Sequence, residues 1–135
     1  MILFVLRSGD PNANAEKTIE SCHGLFNQVF SIGNINKINS LVQKTGDAVF
    51  LVLYDNEYLE EDLRSVIPLY VDSKFDVVSL FSKTYDGIEN KYHLSPRLFK
   101  GNMRIKQDRL YPEVEEFTHT RSLDGWIVRD DTIQS

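Results

Sequence analysis

Residues 48–57 read Ala48-Val-Phe-Leu-Val-Leu-Tyr-Asp-Asn-Glu57, and their reading decides the fold. The run 48–53 is the most apolar in the chain and has no polar alternation, which predicts a strand buried on both faces of a parallel sheet. It ends in a polar cluster, Asp55-Asn56-Glu57. Upstream, Ile2–Leu6 is a second continuous apolar run and breaks into Ser8-Gly9-Asp10-Pro11, so it predicts another buried strand followed by a loop.

Helical spacing fills the intervals between these strands. After Asn12 or Asn14 as N-cap, Ala15, Ile19, Cys22 and Phe26 recur on one face. A short strand is expected at 29–32. Gly33-Asn34 then opens a helix with Ile35, Ile38, Leu41 and Val42 on one side, closed by Gly46. A third helix carries Leu59, Leu63, Val66, Ile67 and Tyr70, with Pro68 expected to kink it or end it early. Residues 77–81 supply a fourth strand. Strands alternating with such helices predict an α/β fold built as an open, mostly parallel sheet with helices on both faces.

From Ser82 the style changes, and antiparallel strands are expected in the C-terminal half, at 92–99, 103–105, 117–120 and 126–128. Asp124-Gly125 is a hairpin signal between the last two. Residues 84–91 are expected to form a lid or a plain connection. The whole reads as a single domain, 1–135, with a βαβ part (1–81) and an antiparallel part (82–135).

The formal net charge is −5, so overall charge does not favour strong non-specific nucleic-acid binding. The cluster Arg97, Lys100, Arg104, Lys106 and Arg109 offers donors for a single anionic ligand or forms a solvated basic strand pair. Cys22 is the one cysteine, which excludes an internal disulfide and fits a reducing, cytoplasmic setting. Ile2–Leu6 is too short for a signal segment, and no run reaches the length of a membrane span.

Ligands of open α/β sheets bind beyond the carboxyl ends of the strands. That places Arg7 to Asp10, Gly33-Asn34 and Asp55 to Glu57 on one edge. Asp55 and Glu57, one residue apart, have the spacing of two hard oxygen ligands for Mg or Mn at a strand exit, or of acids favoured in a helix's first turn. His93 and His119 are candidates to complete a metal site, though they read more simply as surface residues. Trp126 reads as a core anchor or a sugar-stacking ring. Asp130 and Asp131 read as tail.

The segments Asn14-Ala-Glu-Lys-Thr-Ile-Glu-Ser-Cys22, Val29-Phe-Ser-Ile-Gly-Asn34, Gly46-Asp-Ala-Val-Phe-Leu-Val-Leu-Tyr-Asp-Asn-Glu-Tyr-Leu59 and Phe75-Asp-Val-Val-Ser-Leu80 resemble glycosyltransferase family two over roughly residues 1–81. A weaker likeness joins Ser95-Pro-Arg-Leu-Phe-Lys-Gly101 to Arg109-Leu-Tyr-Pro-Glu-Val-Glu115. The resemblance implies an A-type, nucleotide-diphospho-sugar-transferase-like fold and a nucleotide-diphospho-sugar as partner. It implies that Ser8, Gly33 and Asn34 line the nucleoside pocket, that Arg97 or Arg109 neutralises phosphate, that Asp55 with Glu57 holds the divalent cation, and that Glu113 removes the acceptor proton. Gly33-Asn34 stands where the family carries an acidic pair, Leu53 stands at one register of the Asp-x-Asp motif, and Tyr111-Pro112 replaces a His-Glu. These departures make a non-catalytic binding or assembly protein, with a protein partner, the alternative expectation.

Overall fold

The computed structural model describes residues 1–45, 49–100 and 102–129. Gly46, Ala48 and the acids Asp130 and Asp131, to which roles were assigned above, lie outside them. The order of elements is β1 (Ile2–Leu6), α1 (Ala15–Ser21), β2 (Gln28–Ile32), a 3₁₀ turn (Ile35–Lys37), α2 (Ile38–Thr45), β3 (Phe50–Tyr54), β4 (Glu57–Leu59), α3 (Glu61–Val71), β5 (Val77–Tyr85), β6 (Asn90–Phe99), β7 (His119–Arg121) and β8 (Ile127–Arg129).

The two apolar runs do become adjacent, buried, parallel strands. β1 lies between β2 and β3, with Phe4 opposite Phe30 on one side and Val52 on the other. Since successive side chains leave opposite faces, β1 feeds two cores at once. Ile2, Phe4 and Leu6 join Phe50, Phe99, Ile105 and the α2 residues Ile38 and Val42. Leu3 and Val5 join Leu51, Leu53, Cys22 and the α3 residues Leu63 and Ile67. In the first core the Phe50 ring stacks on Phe99 at 5.1 Å and meets Phe4 edge-on at 5.7 Å.

The expected open, mostly parallel α/β sheet with helices on both faces is not what forms. The sheet is mixed and curled into a half-barrel, strand dominates, and the three helices are short. Among the described residues the strands run β2-β1-β3-β6-β5-β8-β4, with β7 beside β5. The longest ladder, β5 against β6, is antiparallel, and β6 is inserted antiparallel between β3 and β5, where a simple β3-α3-β5 unit would have paired them.

The curl follows from connectivity. β3 and β4 are separated by only Asp55 and Asn56, yet three strands stand between them in the sheet. At ~4.8 Å per strand, a flat sheet would hold them ~19 Å apart, whereas three residue steps reach at most ~11 Å. Only a sheet rolled on itself brings β4, paired with β8, back to the end of β3.

Local predictions fare unevenly. Leu59 lies in β4, not on a helix, and α3 starts at Glu61 and continues past Pro68 to Val71. Its last carbonyls are capped by the Lys100 ammonium, which donates to Tyr70 O (3.1 Å), Val71 O and Ser73 O (2.9 Å). The fourth strand expected at 77–81 continues to Tyr85 as β5. Residues 84–91 form the end of the β5–β6 hairpin. At its tip the Asp86 carboxyl is held below the usual range, first by the Glu89 N–H and then by the Ile88 N–H. Residues 103–105 contribute one bridge, Ile105 to Pro112, rather than a strand.

The Asp124-Gly125 hairpin is also absent, because β7 and β8 do not pair. Both run parallel to β5, at 77–79 and 82–84. Gly125 serves a different end. Its φ is +75°, and a Cβ there would stand 2.5 Å from Leu63 N, at the start of α3. Gly125→Ala should therefore cost more than the ~1–3 kcal/mol of a left-handed non-glycine residue. Gly87→Ala, at φ +96° with nothing within 4 Å, carries only the backbone cost. Paired urea titrations should place Gly125→Ala clearly below Gly87→Ala in stability.

Burial beside Ile19 and Leu63 pushes the Cys22 thiol up to about 12 from 9.0, against a smaller lowering by the Ser21 hydroxyl. A raised folded value means that the unfolded chain ionises first as pH rises, so the contribution is complete below 9.0 and is lost toward 12. Stability should fall in that window by up to ~1.4 kcal/mol per pH unit more in wild type than in Cys22→Val. Urea midpoints at pH 8 and 10.5 for both proteins measure the difference.

Candidate functional site

The carboxyl ends of β1 and β3 are tied together before any ligand is considered. Asp55 N–H donates to Leu6 O at 2.9 Å, and the Asp55 carboxylate accepts from Ser8 N–H at 2.9 Å. Ser8 Oγ accepts from Asp10 N–H (3.1 Å), and Asp10 Oδ1 from Asn12 N–H (2.9 Å), which shapes the loop after β1. Helix α1 braces the other side of the turn. Asn14 N–H donates to Asp55 O, Thr18 Oγ1 to Glu57 O at 2.6 Å, and Ser21 Oγ accepts from Leu59 N–H.

Glu57 points into the curl and meets Arg97. The contact is bidentate, with Nη1 to Oε1 at 2.6 Å and Nη2 to Oε2 at 2.8 Å, and the side chains are 1% and 5% exposed. Oε1 also accepts from Tyr54 N–H at 2.8 Å. Arg97 donates further to Val52 O and Ser95 Oγ, with the Tyr54 ring 5.5 Å from its guanidinium. The register explains how Arg97 reaches inward. Val78 faces Leu98 and Ser79 faces Pro96, so Arg97 is the extra residue of a β-bulge, which re-aims a side chain.

Around this pair lie two adjoining clefts. One, of about 340 Å³, is lined by Glu57 and Arg97 together with His93, Asp108, Arg109 and Arg129. The other, of about 560 Å³, is lined by the loop from Ser8 to Pro11 with Tyr54, Asn56 and Arg129. Tyr54 and Arg129 belong to both. Among the described residues, neither Arg109 nor Arg129 has a carboxylate partner.

The sequence-predicted residues are thus only partly brought together. Ser8, Asp55 and Glu57 meet at the strand exits. Gly33 and Asn34 line neither cleft; Asn34 caps the 3₁₀ turn by accepting from Asn36 N–H at 3.1 Å, and Gly33 lies against the Arg7 guanidinium. Arg109 lines the smaller cleft, but the donors of Arg97 are engaged by Glu57, Ser95 and Val52. Glu113 lies outside both clefts and faces Arg104 at 3.3 Å. The basic cluster disperses, with Arg97 in the core, Lys100 on α3 and Arg104 on Glu113. Trp126 packs against Phe81 and Tyr92, on a face away from the clefts. Asp108 and Arg129 are lining residues that motif spacing missed, hinted at only by their position beside Arg109 or a strand end, whereas Asn56 falls within the strand-exit stretch Asp55 to Glu57.

A divalent ion does not fit Asp55 and Glu57 as a pair. Both Glu57 oxygens already accept from a cation, and one Asp55 oxygen is bound to backbone. Among the described residues no group of three or more His, Cys, Asp or Glu gathers elsewhere to hold a metal, and no helix is long and apolar enough to cross a membrane.

A buried charge left without its partner costs ~3–5 kcal/mol. Glu57→Leu and Arg97→Leu should each destabilise the chain by about that amount, and the double variant should recover much of it. Urea unfolding of the three variants measures the coupling.

No protein-family model matches the chain, and no curated protein does.

Proposed function

We propose that the joined clefts bind a sugar carried on a nucleoside diphosphate, and that the chain transfers this sugar to an acceptor hydroxyl. The observation that carries the reading is a pair of cations, Arg109 and Arg129, that line clefts at the carboxyl ends of β1 and β3 and have no carboxylate partner among the described residues. Both clefts have the size of small-ligand sites, ~300–1,000 Å³. Guanidiniums suit a diphosphate, which they engage with two parallel hydrogen bonds. The likeness of the strand-exit segments to glycosyltransferase family two points to the same ligand.

In this mechanism the acceptor oxygen attacks the anomeric carbon. The bond from that carbon to the diphosphate oxygen breaks, and its electron pair leaves with the nucleotide. Arg109 and Arg129 stabilise the charge that develops on the diphosphate. Asp108, which lines the cleft while Glu113 does not, takes the proton from the acceptor hydroxyl. No step is routed through a metal, because Glu57 is committed to Arg97.

A second reading, a binding module without turnover, is favoured by one specific fact. The carboxylate nearest the centre, Glu57, is neutralised and therefore unavailable as a base.

The test is thermal unfolding with UDP, GDP, CDP and dTDP and their sugar conjugates, with and without Mg or Mn. A ligand at a hundred times its Kd should add ~2.7 kcal/mol to the folded state. Arg129→Ala should abolish the shift, and absence of any shift at millimolar ligand overturns the reading. If a conjugate binds, release of its nucleotide should fall ~10²–10⁴-fold in Asp108→Asn, with binding retained. Binding without release from any conjugate supports the second reading.

A further inference from the structure

We propose that strand β2 is a pairing edge for a second copy of this chain, which adds its own β2 antiparallel about a twofold axis at Phe30 and makes one sheet continuous across two protomers. The proposal does not depend on what the clefts bind.

β2 ends the sheet, with β1 on one side and no described strand on the other. Arg7 N–H donates to Ile32 O, so the backbone groups of Ile32 face β1, and the unbroken parallel register carries that orientation back to Phe30. In a strand the N–H and C=O of one residue leave on the same side, and the side alternates along the chain. Val29 and Ser31 therefore turn both groups outward, where no described residue is hydrogen-bonded to them. Val29 is 39% exposed, so neither helix covers this border.

The other free borders among the described residues carry the devices that keep edge strands from pairing. β4 has three residues, and α1 occupies its outer side through Thr18 Oγ1 on Glu57 O and Ser21 Oγ on Leu59 N–H. β7 is equally short and carries Arg121. β6, beyond the two residues that pair with β3, carries Lys91, Pro96 and the bulge at Arg97. β2 has none of these. Between His23 and Lys37 the chain contains no Asp, Glu, Lys, Arg or His, although 26% of all its residues are charged.

A second copy is the occupant that fits. A register centred on Phe30 sets Val29 opposite the partner's Ser31 and Ser31 opposite the partner's Val29. Both become hydrogen-bonded pairs, which uses every outward group of the two residues. Phe30 then meets the partner's Phe30 in the alternate kind of pair, where side chains come closest. A row of rings leads to that point. Phe99 stacks on Phe50, Phe50 meets Phe4 edge-on, and Phe4 stacks on Phe30 with centroids 5.7 Å apart. The row crosses β6, β3, β1 and β2 and stops at the border, and the twofold axis continues it into the second copy. Charge points the same way. Each copy has a net charge of −5, and this border brings two copies together where neither presents a charge. An edge built for a different protein gains from charges that select it. The antiparallel arrangement turns the carboxyl ends of β1 and β3 of the two copies to opposite sides, so the clefts of both stay open.

The test is sedimentation equilibrium of the full chain from ~1 μM to ~1 mM, the range in which small specific interfaces associate. Wild type should form a reversible dimer. Ser31→Pro removes one outward N–H, a change that an edge strand tolerates. It should raise the dimer dissociation constant at least ~10-fold and leave the urea midpoint of dilute protein unchanged. Crosslinking reads the register. A mixture of Val29→Cys and Ser31→Cys chains should oxidise to a disulfide-linked heterodimer, because opposed residues stand ~5.5 Å apart. Either variant alone should not, because its two copies of the cysteine lie beyond the ~7 Å that a disulfide spans. Cys22 is buried and stays out of the reaction.

A monomer over the whole range overturns the proposal, and so does a dimer that Ser31→Pro leaves intact. Crosslinking of either cysteine variant with itself in preference to the mixture overturns the pairing about Phe30.

Discussion

The Glu57–Arg97 pair holds the rolled sheet closed. Glu57 begins an edge strand and Arg97 belongs to the strand next to β3, so their contact crosses the interior of the curl rather than running along a ladder. Two residues of chain between β3 and β4 force the edges to approach, and the approach buries two opposite charges. An ion pair in that position is weak evidence for net stability, because its desolvation offsets much of its attraction. Its contribution is to geometry. A bidentate contact, supplemented by Tyr54 N–H, Val52 O and Ser95 Oγ, has one good arrangement, and that arrangement sets where β4 sits relative to β3. Because Arg97 and Glu57 satisfy each other, positive character toward a ligand falls to Arg109 and Arg129.

The parts of the fold legible in the sequence are those whose signal is local and long. Ile2–Leu6 and the 48–53 run announce buried strands because every residue is apolar, and Ile38 and Val42 announce a helix face by their spacing. The three-residue strands β4, β7 and β8 are illegible, because three residues carry too little period to distinguish strand from helix. Each also acquires its pairing from a distant partner; β4 pairs with β8 some seventy positions away. Leu59 therefore reads as the first apolar position of a helix while in fact closing the sheet. Asp124-Gly125 carries a valid local turn signal, but the glycine is required because Leu63 approaches its backbone, a tertiary constraint with no local signature.

The same distinction governs the site. The position of the candidate residues at strand exits was legible, since it follows from where buried strands end. Their roles were not. The Asp55-x-Glu57 spacing brings two carboxylates to one turn, but the partner that neutralises Glu57 lies 40 residues later and reaches it only through a bulge. The basic residues between Arg97 and Arg109 read as one patch because they are close in sequence. Strand alternation, the α3 cap and the Arg104–Glu113 contact send them to separate places.

The turn joining β3 to β4 shows how a rigid frame and an unsatisfied centre come to coexist. Asp55 fastens the turn to the β1 loop, Glu57 fastens it to β6, and Asn56 between them is buried with its amide oxygen unpaired. In a flexible loop such an oxygen would rotate to solvent, and its cost of ~1–3 kcal/mol would drive that relaxation. Here both flanking residues resist it, so the cost is retained. Asp10 is held in the same way by its own loop, one oxygen bonded and one not. The anchors that close the half-barrel are thus also what holds the Asn56 turn in place.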